Sequence, residues 1–520
     1  MVPFGQRRAD NIAARHSCGC NLSGGRAFAS IGLPSRAMIF VPTQKKSQQS
    51  LPELILQPHE IYSRVMLSIE RSSHCRRDRW TVLAVLVVIA SAWLNANGQT
   101  APAIVTAIRA DRMLDVQTGK IISHAVVLIE ADRIKAAGAD IAIPPGARLL
   151  DLGDVTLLPG LIDSHTHLLQ YYDLAWRNNA AMVAKIRRMT TVNKVLLGAA
   201  TARDYLDAGI TTVRDLGSSG VNGDVALRDA IEDGWVTGPR IVASTRALVA
   251  DEGKAGAPSA DGSITVKIKS AADAREAVRA AIEAGADCIK IIVNGPPLMP
   301  LELVRAIVDE AHRFGKKVAA HAVGEQATRI AAEAGVDSIE HAYAHLQQTV
   351  GVAALPDDVL KMMAEKHIFL VPTDATLDLI MRLRRNDPPQ DRARIEEEIR
   401  VYMEADAARL RRAIQAGVPI ALGSDNYSYN SLYGSTRGQT SLNVLEAYAG
   451  AGMSPLEIIR AATANAAELL GLSDRIGSIH EGKLADIIAV KGDPLKDVTV
   501  LERVAFVMKS GRVYKPMTTH

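Results

Sequence analysis

Hydrophobic residues follow two patterns along residues 99–520. Short apolar runs alternate with longer stretches in which apolar positions recur every three or four residues. The first pattern is typical of buried strands and the second of amphipathic helices. Eight strands are predicted in the central part of the chain, over 157–167, 211–214, 240–244, 288–293, 317–321, 338–341, 369–372 and 420–423.

Helices are predicted between these strands, including 271–284, 301–314, 325–334 and 395–416. Several end at an Ala-Gly pair such as Ala334-Gly335, and glycine just after the last helical residue is a common stop signal. Eight strands alternating with helices predict an α/β fold, a (β/α)8 TIM-type barrel over 157–475. A doubly wound open sheet is the alternative, but no glycine-rich phosphate loop follows any of these strands.

The two flanks of the central segment show a third pattern of short strands separated by turn residues. Before the barrel these strands are predicted over 104–108, 125–130, 133–138 and 148–150, and after it over 482–490, 504–508 and 511–513. Strand-rich flanks on both sides of one long segment predict a small composite β-domain. We expect this domain to combine residues 99–156 with residues 476–520.

The first 98 residues have a different character. Residues 1–65 are rich in Ser, Arg, Gly and Pro without periodicity, so we expect them to be disordered or not translated. From Met66 onward, several arginines precede an apolar run over 80–94 and the small residues Ala96-Asn97-Gly98. This order is the layout of a secretory signal peptide, predicted over 66–98. Because a signal peptide normally begins a chain, Met66 is the expected initiator.

This leader determines the expected location of the protein. The apolar run is shorter than the ~20 residues that a transmembrane helix needs. We therefore expect a secreted or periplasmic protein without stable membrane insertion, and an uncleaved N-terminal anchor is the alternative. Three of the four cysteines lie before residue 99, so Cys288 would remain without a disulfide partner after removal of the leader.

Overall composition is that of a globular protein, with 48% hydrophobic and 22% charged residues. The net charge of +3 comes from the leader, because residues 1–98 contain 12 Lys and Arg against 5 Asp and Glu. The remainder of the chain is slightly acidic. Nothing in this distribution indicates a nucleic-acid partner.

Candidate catalytic side chains cluster where the predicted barrel strands end. His165 and His167 are two positions apart at the end of the first strand, so both imidazoles face one side and suit a divalent metal. Lys290 lies in an apolar strand, where an isolated ammonium group would be costly. Barrel active sites lie at this end of the strands. The candidate metal-ligating residues are His165, His167, Lys290, His321, His341 and Asp425.

Each candidate also has an ordinary explanation when it is taken alone. His321 or His341 could be a hydrogen-bonded core histidine, and Asp425 could cap the next helix. The joint placement of six such residues at the functional ends of their strands favours a catalytic site.

These motifs resemble those of the amidohydrolase superfamily, and within it the imidazolonepropionase-like subgroup. The matching segments are 158–167, Lys290, 321–324, 339–342, 423–425 and, in the flank, 481–486. The resemblance covers 103–515 and implies two bridged divalent metal ions, usually zinc. One ion would be bound by His165, His167 and Asp425, and the other by His321 and His341.

The same resemblance implies that Lys290 is N-carboxylated by CO₂ and bridges both ions. Such a modification is consistent with the chemistry of a desolvated lysine, whose lowered pKa makes the amine neutral and nucleophilic. The resemblance further implies that Asp425 acts as catalytic acid and base. Tyr343 either donates a hydrogen bond to the developing oxyanion or has only a packing role.

The resemblance also narrows the substrate class. The branch includes prolidase-like dipeptidases, enzymes acting on Xaa-Arg or Xaa-Lys, and amidases of ochratoxin-type N-acyl amino acids. All cleave an amide next to a free carboxylate, which needs a cationic partner. Arg246 is the candidate and Arg214 another, although either could instead form a structural ion pair. Dipeptidase relatives often have Gly-Gly-His after the third strand, whereas Thr245-Arg246-Ala247 looks more like the ochratoxin-amidase branch.

Two aromatic segments, 170–177 and 426–433, would suit an aromatic or bulky apolar substrate group. Packing at the barrel rim or against another subunit is the alternative. A cyclic amidohydrolase acting on imidazolone- or hydantoin-like rings is a second functional hypothesis. A non-enzymatic metal-binding protein is a third, against which the complete set with Lys290 and Asp425 argues. We expect a small-molecule or dipeptide substrate and, because relatives are often multimers, a homo-oligomer.

Overall fold

The computed structural model describes residues 105–170, 179–217, 219–251, 260–262, 264–295, 297–343, 355–383, 388–426 and 435–517. The predicted leader over 66–98, the segment 1–65 and the aromatic residues of 171–177 and 427–433 lie outside the described residues. Within the described part of the chain, no helix combines the length and apolar character that a bilayer crossing requires.

Seventeen strands are present in the described residues. In chain order they are β1 (Val105–Asp115), β2 (Lys120–Glu130), β3 (Arg133–Ala139), β4 (Arg148–Asp151), β5 (Thr156–Pro159), β6 (Leu161–Thr166), β7 (Ile210–Asp215), β8 (Arg240–Ala243), β9 (Ala247–Ala250), β10 (Thr265–Ile268), β11 (Cys288–Ile292), β12 (Lys317–Ala322), β13 (Ser338–His341), β14 (Phe369–Val371), β15 (Ile487–Val490), β16 (Phe506–Lys509) and β17 (Arg512–Lys515).

Thirteen α-helices accompany them in the same residues. They are α1 (Asn179–Arg188), α2 (Thr191–Asp207), α3 (Gly223–Glu232), α4 (Ala271–Glu283), α5 (Leu301–Arg313), α6 (Glu325–Ala334), α7 (Asp357–Glu365), α8 (Leu377–Leu383), α9 (Arg392–Gln415), α10 (Arg437–Ser441), α11 (Val444–Gly450), α12 (Pro455–Ala461) and α13 (Ala464–Leu469). Short 3₁₀ helices span Pro389–Asp391 and Val498–Arg503.

The central strands form a parallel barrel with eight positions, which confirms the predicted fold class. One sheet has the order β6-β7-β8, and the other has the order β10-β9-β11-β12-β13-β14. Helices cover the outside, and α5 shows why its sequence folds this way. Its apolar residues recur three and four positions apart and bury one face against the strands, a face that includes Val304, Ile307 and Ala311.

Two barrel positions differ from the predicted strands. The third position is divided, because β8 pairs with β7 while β9 pairs with β11, and residues 244–246 interrupt the strand. Thr245 lies in the left-handed region at φ 60°, which accounts for the break. The eighth position is an extended segment with isolated bridges from Ile420 to Leu370 and from Asn426 to Thr166. These bridges close the ring of strands, where the sequence predicted a regular strand over 420–423.

Both flanks contribute to one further sheet. Its order is β17-β16-β15-β5-β1-β2-β3, and β4 pairs with β1. Its core combines side chains from both ends of the described chain, such as Ile108 and Leu157 with Ile487 and Phe506. Strands from both flanks therefore form a single sheet with its own apolar core.

The sheet and the barrel meet at Gly160. The sequence predicted one strand over 157–167, but the chain leaves the flanking sheet at Pro159 and enters the barrel at Leu161. A side chain at position 160 would overlap the side chain of Thr211. Glycine therefore permits the close approach of two strands at the point where the chain changes sheet.

Candidate metal centre

All six predicted metal ligands line one cavity of about 260 Å³ in the barrel. They are supplied by β6 and the residue after it, by β11, β12 and β13, and by the eighth barrel position. In chain order these residues are His165, His167, Lys290, His321, His341 and Asp425. The parallel strands of the barrel thus bring these six side chains together around one cavity.

The first group consists of His165, His167 and Asp425. Oδ1 of Asp425 lies 3.5 Å from Nε2 of His165 and 3.1 Å from Nε2 of His167. One potential ligand atom from each residue lies within 4.8 Å of the others. Two imidazoles and a carboxylate make a donor set that suits a divalent metal such as zinc.

Asp163 and Gly423 fix the position of the Asp425 segment against β6. The carboxylate of Asp163 accepts hydrogen bonds from the backbone N–H of Ser424 at 3.0 Å and from its hydroxyl at 2.6 Å. A side chain at Gly423 would overlap both Val371 and His165. Asp425 itself has a left-handed φ of 49°, so these contacts hold a strained residue in place.

Hydrogen bonds at Nδ1 determine the tautomers of three histidines. His165 Nδ1 donates to the carboxylate of Glu340 at 2.7 Å, and His167 Nδ1 donates to the carbonyl oxygen of Gly217 at 3.2 Å. His341 Nδ1 lies 2.7 Å from the hydroxyl oxygen of Thr373, whose own proton is donated to the Pro372 carbonyl at 2.7 Å. These contacts favour a proton at Nδ1, and Nε2 is then the ring nitrogen that can ligate a metal.

The buried Nε2 atom of His165 tests whether a metal fits this cavity. This nitrogen has no hydrogen-bond partner among the described residues, although it is shielded from solvent. A buried polar atom without a partner is costly, so its presence needs an explanation. A metal ion at this position would satisfy it, and the donor set around it is consistent with a divalent ion.

The second group adjoins the first. The ring centroids of His321 and His341 are 4.7 Å apart, and those of His165 and His341 are 4.9 Å apart. Burial, together with the charge of Lys290, lowers the pKa of His165 to about 4 and that of His321 to about 3. Both imidazoles are therefore neutral near pH 7, and neutral imidazole is the form that binds a metal.

Lys290 lies in the same cavity with only 4% of its surface exposed. Burial lowers the pKa of its amine to about 8, although the charges of Glu340 and Asp425 partly oppose this effect. A larger fraction of the amine is thus neutral at neutral pH than for an exposed lysine. Neutral amine is the form that reacts with CO₂, so the environment is compatible with carboxylation.

Glu340 is a functional residue for which the sequence suggested no role. One of its carboxylate oxygens binds His165, and the other binds the guanidinium of Arg214 at 2.9 Å. Burial alone would raise the pKa of Glu340, but the charge of Arg214 and the His165 hydrogen bond hold it well below its usual range. Its position in a predicted barrel strand, between Ile339 and the candidate ligand His341, was the available sequence signal.

Arg214 serves this ion pair and does not face the cavity. Its guanidinium is fully buried and also donates to the Ser164 carbonyl at 2.6 Å and to the Ser338 hydroxyl at 3.2 Å. Of the two roles that the sequence left open for Arg214, the structural ion pair is the one observed.

Tyr343 and Arg246 lie beside the cavity and are absent from its lining. The hydroxyl of Tyr343 donates to the carbonyl oxygen of Thr373 at 2.9 Å, so contact with an oxyanion would require this bond to rearrange. Arg246 is half-buried in the interruption between β8 and β9, next to Ala247, which does line the cavity. Their catalytic and substrate-binding roles stay predictions.

Arg409 supports the backbone at His341, and sequence reasoning did not identify it. This fully buried side chain of α9 donates to the carbonyl oxygen of His341 and forms an ion pair with Asp374 at 2.6 Å. His341 and Ala342 both have left-handed φ values, 70° and 50°, which cost energy for residues other than glycine. Arg409 therefore stabilises a strained turn directly at a candidate ligand.

Comparison with known proteins relates this geometry to a family. The model of the amidohydrolase family matches residues 156–515. Ochratoxinase of Aspergillus niger is 29% identical over 404 residues, covering 69% of this chain and 75% of that protein. Imidazolonepropionase of Porphyromonas gingivalis is 26% identical over 422 residues, covering 75% and 89%. The crystal structure of a Xaa-Pro dipeptidase with bound methionine superimposes with a TM-score of 0.67 at 29% identity, over 79% of this chain and 100% of that one.

Proposed function

The chain belongs to the amidohydrolase family and is a hydrolytic enzyme acting on amide bonds, and from this we propose that it cleaves an amide next to a free carboxylate at a centre that holds two divalent metal ions. Its substrate would be a dipeptide or an N-acyl amino acid, including ochratoxin-type compounds with an aromatic group. The similarity to an ochratoxinase and to a Xaa-Pro dipeptidase supports this class, because a dipeptide carries a free carboxylate next to its amide and the first name denotes action on an ochratoxin.

The observation that carries the proposal is the common orientation of the histidines. Nδ1 of His165, His167 and His341 each contacts an oxygen acceptor, so Nε2 is the ring nitrogen that each of them can offer to a metal. His165, His167 and Asp425 would hold one ion, His321 and His341 the other, and N-carboxylated Lys290 would bridge them. Imidazole and carboxylate donors favour zinc. When bound, the ions polarise the scissile carbonyl and lower the pKa of water.

The protein's own side chains have separate tasks in this reaction. Asp425 accepts a proton from the attacking water at its carboxylate and then delivers it to the nitrogen of the leaving amine. Tyr343, once its hydroxyl has turned from Thr373, donates a hydrogen bond to the developing oxyanion. Arg246 pairs with the free carboxylate of the substrate and so positions the scissile amide in the site.

A substrate screen tests the proposal directly. Protein supplied with zinc and bicarbonate is incubated with dipeptides and N-acyl amino acids that vary in the C-terminal residue, and the released amino acid is quantified by mass spectrometry. We expect release that stops with a chelator and returns with zinc. The matched controls are the same compounds with a C-terminal carboxamide. Equal hydrolysis of acid and carboxamide, or hydrolysis of no compound, would overturn the proposal.

A second candidate is hydrolysis of an imidazolone- or hydantoin-like ring. The similarity to an imidazolonepropionase supports it, and so does the small volume of about 260 Å³ around the candidate ligands. A ring hydrolase has no need of a carboxylate clamp. Ring opening that survives the substitution Arg246→Gln, without any cleavage of N-acyl amino acids, would favour this alternative.

A further inference from the structure

A second, larger cavity lies beside the metal centre. Its volume is about 570 Å³, and its lining comes from the residues after β13 and β14 and from helices α8, α9 and α11. Tyr343 and Thr373 form the wall towards the metal centre. Thr373 binds His341 Nδ1, and the ring centroid of Tyr343 is 5.4 Å from that of His341. The two cavities therefore adjoin each other through His341 on one side and through Tyr343 and Thr373 on the other.

The volumes of the two cavities indicate which part of a substrate each of them could hold. Pockets that enclose a small organic ligand typically measure about 300–1,000 Å³. The cavity around the candidate metal ligands, about 260 Å³, falls below this range, whereas the second cavity falls within it. A dipeptide or N-acyl amino acid whose scissile amide lies at the metal centre must place its remaining bulk elsewhere. The adjoining cavity has the space for this part.

The polarity and charge of the lining determine which substrate groups the second cavity can bind. Most of its surface is apolar, from residues such as Ile380, Ile399 and Met403. Four acidic residues also line it, Asp374, Glu404, Asp406 and Glu446, together with Arg400. Asp374 forms an ion pair with Arg409 at 2.6 Å, and Glu404 forms one with Arg411 at 2.6 Å. Arg400 donates to Glu396 at 2.9 Å. Counted with these partners, three arginines still face four lining carboxylates, so the lining is apolar with a small excess of negative charge, which disfavours a carboxylate.

The substrate carboxylate must therefore lie on another side of the metal centre. Arg246, the candidate carboxylate partner, belongs to the third barrel position, whereas the second cavity adjoins the sixth and seventh positions. These positions lie on opposite sides of an eight-position barrel. A substrate that pairs its carboxylate with Arg246 directs its acyl side towards Tyr343 and the second cavity.

We propose that the second cavity is the acyl-side subsite of the enzyme and that it selects an apolar acyl group with a neutral or positively charged end over one that ends in a carboxylate. The assignment rests on the proposed function, because the substrate can be oriented in the site only if it has a free carboxylate that pairs with Arg246. It identifies α9 and α11 as the elements that determine acyl specificity.

Three probes with the same leaving amino acid test this subsite. N-hexanoyl-, N-(6-aminohexanoyl)- and N-adipoyl-phenylalanine have acyl chains of equal carbon number that end in a methyl group, an ammonium group and a carboxylate. Their kcat/KM values are compared for the zinc-loaded full chain, and their binding to Asp425→Asn protein is measured by calorimetry. We expect the adipoyl compound to be at least ~10-fold poorer than the other two in both measurements.

Two pairs of variants test whether the residues that line the cavity, rather than any residue of these helices, determine the acyl preference. Glu446→Lys reverses a charge in the lining, and Glu397→Lys makes the same change at an exposed position of α9 outside it. We expect only Glu446→Lys to reduce the difference in kcat/KM between the adipoyl compound and the other two probes. Ala407→Leu fills the cavity, whereas Ala405→Leu lies on the same helix outside the lining. Only Ala407→Leu should weaken hexanoyl binding while leaving N-acetyl-phenylalanine unaffected.

The outcomes distinguish this inference from the proposed function. Hydrolysis of all three probes at equal rates, or equal effects within each variant pair, would refute the acyl subsite and leave the proposed function intact. Absence of hydrolysis combined with the expected order of calorimetric affinities would retain the subsite and refute the proposed reaction. Absence of both hydrolysis and selective binding would refute both.

Discussion

The guanidinium of Arg214 and the carboxylate of Glu340 form an ion pair at 2.9 Å in which neither side chain is exposed to solvent. The second carboxylate oxygen of Glu340 holds Nδ1 of His165 at 2.7 Å. One buried carboxylate thus neutralises a buried cation and orients a candidate metal ligand. Loss of this carboxylate should therefore affect both stability and metal binding.

The substitution Glu340→Gln tests this double role. It leaves the Arg214 charge buried without compensation, which typically costs about 3–5 kcal/mol. We also expect metal affinity to fall by about 10–100-fold, because His165 loses its anionic partner. Denaturant unfolding and zinc competition with a chromogenic chelator measure the two effects. Glu397→Gln, at an exposed position of α9, is the control, and unchanged zinc affinity in Glu340→Gln would contradict the orienting role.

The hydroxyl of Thr373 should determine which ring nitrogen of His341 carries the proton. Removal of its hydroxyl in Thr373→Ala takes away the acceptor for His341 Nδ1 and one partner of the Tyr343 hydroxyl. An unsatisfied buried group costs about 1–3 kcal/mol, so we expect lower stability and loss of part of the bound metal. Thr373→Ser keeps the hydroxyl and should behave nearly like the wild type. Metal content per chain is the measurement, and equal values for the two variants would rule out the hydrogen bond as the cause.

The substitution Asp425→Asn should separate metal binding from turnover. Asparagine keeps an oxygen ligand near His165 and His167 but cannot accept the proton at neutral pH. General acid–base catalysis contributes about 10²–10⁴-fold, and we expect kcat to fall by at least this factor. Metal analysis of the same preparation should show bound ions. A variant that retains a near-normal kcat would refute the proposed role of Asp425.

Lys290 should make metal loading dependent on bicarbonate. Carboxylation requires the neutral amine, and burial lowers the pKa of this amine to about 8, so modification should accelerate as pH rises towards that value. We expect apo-protein in CO₂-free buffer to bind less zinc than protein given bicarbonate. A carbamate signal from carbon-13-labelled bicarbonate would report the modification, and Lys290→Met is the control that should lack it. Full zinc loading without CO₂ would argue against a carboxylated lysine.

Lys509 should impose a pH dependence on stability that is independent of the metal centre. Burial and the charge of Arg240 lower the pKa of its amine to about 8 in the folded protein, from 10.5. Between these two values the unfolded chain binds a proton that the folded chain does not, so the free energy of unfolding should rise with pH.

The difference between the wild type and Lys509→Met isolates this contribution from those of other lysines. The wild type should gain up to roughly 3 kcal/mol relative to the variant between pH 8 and 10.5, and nothing below pH 8. Denaturant unfolding at a series of pH values measures the difference. A constant difference across the range would show that Lys509 titrates normally.

Much of the fold could be predicted because its signals are local. Most barrel strands are short apolar runs, and a candidate ligand follows or ends several of them, so spacing along the sequence was sufficient to predict which side chains meet in one cavity. The same local reasoning failed at residues 244–246 and 420–423, where tertiary contacts decide whether the chain forms a regular ladder. A residue with left-handed backbone conformation, such as Thr245, does not change the pattern of apolar and polar positions from which strands are predicted.

The residues that support the ligands were harder to predict because their partners are remote in sequence. Arg214 and Glu340 are 126 positions apart, and Arg409 is 68 positions from the carbonyl oxygen of His341 that it binds. Neither pairing has a characteristic spacing. A charged residue within an apolar segment indicates that a partner exists, but only the folded chain identifies which residue it is.

The pairing of β5 with β15 has a consequence for the order of folding. Pro159 pairs with Ile487 and Thr156 with Val490, so one edge of β5 has no partner until nearly the whole chain has been synthesised. Contacts between residues so distant in sequence form slowly because loop closure carries a large entropic cost. An unpaired strand edge also acts as a template for aggregation. Chains that end after the barrel should therefore accumulate as insoluble protein, even though every candidate metal ligand has already been made.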